Sequence, residues 1–133
     1  MPKTKPKMTK NILERELLDH LQKKYKIEGS IYLGGGWIKP VVDMLEKLEK
    51  LPWFEHIELD QIKEKFGSLR VYWSKLPDSP DLSEAQSRAI FSLIEEAEKI
   101  TDKTCYFCGK PGTRNTIKYF VCVRCEACTL SQQ

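Results

Sequence analysis

The chain has 133 residues, 41% hydrophobic and 31% charged, which suits one ordinary domain with a small appended module and excludes wholesale disorder. No apolar run approaches the ~20 residues of a membrane-spanning helix, and the opening MPKTKPKMTK lacks the apolar stretch of a secretory signal, so a cytoplasmic protein without a membrane partner is expected. The formal charge of +3 is uneven: +4 in residues 1–10, −4 in residues 11–100 and +3 in residues 101–133, so the body lacks the broad basic face that duplex DNA requires.

Residues 1–10 read as a disordered basic tail. Asn11 is placed to cap a helix whose Leu13, Leu17, Leu18, Leu21 and Tyr25 fall at helical spacing, with Glu14, Arg15, Glu16, Asp19 and Lys23 on a solvated face. Gly34, Gly35, Gly36 and Trp37 then lead into a second amphipathic helix with Val41, Val42, Met44, Leu45, Leu48 and Leu51 inward. Pro40 suits its first turn, where a missing N–H costs nothing. A glycine turn feeding a helix N-terminus can cradle an anion on free backbone N–H groups. Neither a Gly-Lys-Ser/Thr ending nor GxGxxG spacing is present, however, and a plain connecting loop is the simpler reading.

Beyond Pro52, HIELDQIKEKFGSLRVYW reads as a β-hairpin turning at Phe66-Gly67-Ser68. Its Lys63, Lys65, Arg70, Tyr72 and Trp73 interleave cations with aromatics, a pattern that can grip phosphate and stack a nucleobase; the simpler reading puts Trp73 in the core and the lysines in solvent. Pro77 and Pro80 mark a loop. Asp81 or Ser83 can cap a third helix, with Glu84 or Gln86 completing a capping box, and Ala89, Ile90, Leu93, Ile94, Ala97 and Ile100 form its apolar stripe.

All five cysteines fall within 24 residues, as CYFC, a 13-residue spacer and CVRCEAC. Two C-x2-C pairs at this separation predict a tetrahedral zinc site, since each pair presents two sulfurs on one tight turn, and Gly109 after Cys108 favours such a turn. Cys105 and Cys108 form the first pair. TIKYFV reads as a strand running into the second turn, which makes Cys122 and Cys125 the natural second pair; the alternative is that Cys125 and Cys128 bind while Cys122 packs. Four thiolates would close the metal's shell, and no histidine follows His56, so the Zn2+ is expected to be structural. The expected architecture is α+β: a tail (1–10), an α+β body (11–101) with two N-terminal helices, a β-hairpin and a third helix, and a four-cysteine zinc-ribbon module (102–133). The linker between helix and ribbon is so short that the ribbon should pack on the body.

The order IKEKFGSLRVYW, then EEAEKITDKTCYFCGKPG, then a second cysteine pair, with Gly36-Trp37 before an amphipathic helix, resembles a family of small uncharacterised proteins of phage and prophage type. The resemblance covers roughly residues 34–126. Ser68 stands where members tend to have Gly, and Val71 where they tend to have Phe. The match implies Cys105, Cys108, Cys122 and Cys125 as ligands, with Cys128 a departure.

Small phage accessory proteins often act by stoichiometric binding, so the resemblance implies a non-catalytic, zinc-stapled module that captures a host factor, an anti-defence role included. Two targets fit. A host protein calls for an exposed apolar patch, expected around Trp53 and Phe54. A small nucleotide-type signal calls for a pocket in a dimer-prone protein, using Gly34–Gly36, Lys65, Arg70 and Trp37 or Tyr72. Nucleic acid is the alternative partner, through the Lys tail, the hairpin and the ribbon's Lys110, Arg114, Lys118 and Arg124, against the acidic balance of residues 11–100. A third alternative is a small enzyme using the hairpin around His56 and Arg70, although no nucleophile motif accompanies them.

Overall fold

The computed structural model describes the backbone of residues 4–133 and the side chains of residues 13–133. Helix α1 spans Thr4–Lys24, starting well before Asn11 and taking in most of the segment expected to be a tail; residues 1–3 of that segment lie outside the described residues. Pro6 falls in the first turn, where a helix has no N–H bond to lose. Leu21 near the end of α1 and Tyr25 just after it are buried and Leu18 is partly buried against the core, whereas Leu13 and Leu17 are exposed.

Ile31–Tyr32 form β1, and Gly35–Glu49 form α2, which is capped by Gly34 without a side-chain hydrogen bond. The hairpin follows as β2 (Ile57–Lys65) and β3 (Ser68–Lys75). Its turn is the two residues Phe66 and Gly67, both left-handed at φ 53° and 79°. That geometry matches the twist of paired strands and is easiest for glycine. Strand β1 adds to the hairpin in parallel, pairing Ile31 with Ile62 and Tyr32 with Lys63, so the sheet order is β1-β2-β3.

Helix α3 spans Glu84–Thr101 and opens with the expected capping box between Ser83 and Gln86. Val41, Met44, Leu45 and Leu48 of α2 share one core with Ile90, Ile94 and Ala97 of α3 and with Ile57, Leu59, Ile62 and Leu69 of the sheet. Among the described residues, the opposite face of the sheet carries no part of this core. Trp53 and Phe54 are half-buried against the core, so the apolar patch expected there does not form. The most exposed aromatics are Phe66 (73%), Tyr119 (98%) and Phe120 (73%) at hairpin tips and Tyr32 (72%) on β1.

The C-terminal segment forms a second, two-stranded sheet of β4 (Thr113–Ile117) and β5 (Phe120–Arg124), followed by α4 (Glu126–Gln132). TIKYFV is therefore not one strand. It folds back at Lys118-Tyr119, both left-handed at φ 50° and 73°, with no Gly or Asn to announce the turn. Among the described residues, four α-helices, a three-stranded sheet and a two-stranded sheet make the fold α+β. No described helix is long and apolar enough to cross a membrane.

Candidate metal centre

The first cysteine pair sits on a tight turn just after α3. Gly109 N–H donates to the Cys105 carbonyl at 3.0 Å, Cys105 N–H donates to Lys110 O at 2.7 Å, and Gly109 takes φ +84°, the left-handed conformation a glycine tolerates best. Tyr106 N–H donates to Val123 O at 2.9 Å, tying this turn to β5. The second pair follows the end of β5. Cys125 is the N-cap of α4, and its sulfur accepts the Cys128 N–H at 3.4 Å, so a helix start brings both sulfurs to one side.

The thiols of Cys105, Cys108, Cys125 and Cys128 all lie within 4.8 Å of one another, with Cys108 and Cys125 sulfurs 3.5 Å apart. Zn–S bonds of about 2.3 Å place tetrahedral sulfurs about 3.8 Å apart, so this cluster is the right size for one ion; a disulfide would need about 2.05 Å. Four cysteines here are thus positioned to hold a metal ion. Cys122 is not among them. Strand β5 runs through Arg124 without turning, so Cys122 and Cys125, three extended residues apart, project to opposite faces. Cys122 lines a separate hollow of about 430 Å³ with Glu64, Tyr106 and Phe120. The alternative pair, Cys125 with Cys128, is the one the fold brings to the centre.

The electrostatics fit a site that needs a cation. Burial pushes the Cys105 thiol up, but the N–H groups of Cys108, Cys125 and Phe107 outweigh it and bring it down to about 6. Cys125 is held low, first by the Cys128 N–H. Cys128 is pushed up to about 12 by burial and by neighbouring thiols. Two thiols are thus biased toward the thiolate and the crowding resists further charge, which a divalent ion would relieve.

The triple glycine is the seat of this centre. A side chain on Gly36 would collide with the Cys105 carbonyl and the Gly109 N–H, and one on Gly34 would collide with the Tyr106 carbonyl and ring. Gly36 N–H instead donates to Tyr106 O at 3.0 Å. Trp37, fully buried, donates its indole N–H to Thr104 O at 2.8 Å and packs edge-on against Tyr106. The Glu14 carboxylate lies against Gly35 at the α2 N-terminus, where its negative charge faces the positive end of the helix. The Gly34–Gly36 cradle is therefore occupied by protein, and Trp37 offers no face to a ligand. A groove of about 780 Å³ passes Gly34 and Gly35, bordered by Glu14, Arg15, Tyr32 and Gln132.

Lys65, Arg70 and Tyr72 lie elsewhere, exposed on the hairpin. His56 precedes β2 and Arg70 pairs with Lys63 far along it, ~20 Å away at ordinary strand rise, so the two do not form one catalytic group. The ribbon arginines serve the fold. Arg124 is buried and donates to Asn115 Oδ1 at 2.7 Å and to Gln132 Oε1 at 2.5 Å, fastening α4 to the hairpin. Arg114 donates to Gly67 O at 3.1 Å and pairs with Asp102, joining the two hairpins and α3.

Tyr32 escapes sequence reasoning because a two-residue strand leaves no periodic signal. Tyr106, between the first two ligands, counts only as spacing in the sequence pattern, although an aromatic inside C-x2-C hints at packing. In comparisons with family models, curated proteins and solved structures, none matched this chain.

Proposed function

We propose that the chain is a non-catalytic, zinc-stabilised binding module of the accessory kind, which captures a host factor stoichiometrically and turns over no substrate. The observation that carries this reading is the position of the four-thiol cluster: it joins the turn after α3 to the start of α4 directly on the glycine seat of α2. An all-sulfur set selects zinc or iron, and four thiolates leave no position for a reacting water, so the ion's role is to hold the joint. Because Gly36 and Trp37 are committed to that joint, the partner engages exposed surface, not the glycine loop.

Native mass spectrometry of freshly purified protein, set against the denatured mass, tests the reading. One zinc per chain is expected, lost together with folded structure on strong chelation, and the same spectrum reports a homodimer or a retained small molecule. Iron in place of zinc, or a fold that survives complete metal removal unchanged, would overturn it.

A further inference from the structure

The outer face of the β1–β3 sheet has an unusual composition. Paired residues on neighbouring strands share a face, and the register lines up Tyr32, Lys63 and Arg70 in one row, with Gln61 and Tyr72 in the next and Lys65 beyond. Tyr32 is 72% exposed and Tyr72 41%. Such tyrosines are not packing the core, whose sheet residues Ile62, Leu69, Leu59 and Ile57 point the other way. Among the described residues, Lys63, Lys65 and Arg70 make no ion pair within 4 Å; burial raises the Glu98 carboxyl above its usual value, and the nearby Arg70 offsets that only in part. Lys65 reaches over the exposed Phe66 ring at 5.8 Å.

We infer that this face binds single-stranded nucleic acid, with Tyr32 and Tyr72 stacking bases and Lys63, Lys65 and Arg70 taking the phosphates. The inference rests on the binding-module reading and names its partner. Charge complementarity argues for the occupant: three cations gather at one end of a face on an otherwise acidic body. The other end carries Glu28, Glu58 and Asp60, which repel phosphate and confine the backbone to the cationic rows. Two exposed rings on non-adjacent strands, about 12 Å apart across two strand spacings and one two-residue step along the strand, suit unstacked bases of a flexible strand; a duplex hides those base faces. The ribbon does not compete for this role, since Arg114 and Arg124 are spent on the fold.

The test is fluorescence anisotropy of a labelled oligo-uridine of about 12 nucleotides, its oligo-deoxythymidine counterpart and a duplex of the same length. The zinc-loaded full chain is compared with Tyr72→Ala, Tyr32→Ala and Arg70→Gln. Saturable binding to single strands is expected, with either tyrosine variant about 10- to 100-fold weaker. Three phosphate contacts predict roughly a 20-fold loss between about 50 and 200 mM salt, and Arg70→Gln should flatten that dependence by about one contact. Metal content and circular dichroism of each variant are read in parallel; a misfolded Tyr72→Ala is replaced by Tyr72→Leu, which removes the aromatic face and should bind as weakly, while Tyr72→Phe keeps the ring and should keep binding. No saturable binding by correctly metallated protein, preference for the duplex, or binding indifferent to all three substitutions would overturn the inference. The structural-zinc reading would stand in each of those cases, since it fails only on metal content or on metal-independent folding. A mononucleotide that competes as well as the oligonucleotide would also overturn it, pointing to a small-molecule site.

Discussion

At the N-terminus of α2 the chain fills its own surface: the knuckle of Cys105–Gly109 sits on Gly36, Tyr106 on Gly34 and Glu14 on Gly35. On the outer face of the sheet, nothing comparable among the described residues covers Tyr32, Arg70 or Tyr72. Both regions carry residues suited to holding an anion, glycine N–H groups in one and cations in the other. What separates them is occupancy. A helix N-terminus is a site only while its N–H groups are free and reachable, and a folded chain that bonds its own Tyr106 carbonyl to Gly36 N–H and lays a carboxylate beside Gly35 has already filled it. Substitutions in the filled region should therefore cost folding, and substitutions on the open face should cost only what binds to it.

The largest effect belongs to the metal ligands. Structural zinc contributes an apparent ~10–16 kcal/mol, comparable with the ~5–15 kcal/mol net stability of a whole domain. Cys105→Ser and Cys128→Ser are expected to lose the metal and the ordered C-terminal hairpin, read by metal content and by amide exchange in residues 102–133. Cys122→Ser should keep one metal per chain and lose about 1–3 kcal/mol for a hydroxyl in a mostly apolar hollow. The reverse pattern, with Cys122→Ser metal-free and Cys128→Ser loaded, would reassign the site.

A smaller but more pointed contrast lies within the triple glycine. A methyl group at Gly36 meets backbone atoms of the knuckle, which move only if the metal turn moves with them; at Gly35 it meets the end of the flexible Glu14 side chain. Gly36→Ala should thus cost about 3 kcal/mol and weaken metal retention, whereas Gly35→Ala should stay within about 1 kcal/mol. Equal thermal shifts for the two would mean that the knuckle does not rest on α2 in solution.

These contrasts show which parts of the molecule are legible without coordinates. Helices α2 and α3 are, because their apolar residues recur at the helical period and Ser83 with Gln86 spells a capping box. The β2–β3 hairpin is, because Phe66-Gly67 interrupts two alternating runs. The β4–β5 turn is not, since Lys118 and Tyr119 adopt left-handed backbone without the residues that normally mark it. That hidden turn decides the metal site: it starts β5 at Phe120, carries the strand through Arg124 and so selects Cys125 and Cys128 over Cys122 and Cys125. Strand β1 and the role of Gly36 are illegible for another reason. Each exists only through contacts with residues far along the chain, and no local pattern encodes them.

The smallest expected effect tests whether the open face is kept at some cost to the fold. Glu58 shares its end of that face with Glu28 and Asp60, and hydrogen bonding to Glu28 first and Asp60 second, which favours its protonated form, raises its carboxyl above the usual value. The strand is bulged there, between Leu59 and Gln61. A carboxyl whose folded pKa is raised opposes folding when ionised: the penalty is absent below the unfolded value and grows as pH rises through the raised one. Glu58→Gln should consequently raise the melting temperature by of order 1 °C at about pH 7, with the gain vanishing near pH 3. An equal gain at both pH values would assign the improvement to packing. A gain confined to neutral pH would mark the acidic end as a repulsion the fold tolerates, set against the cations at the other end of the same sheet.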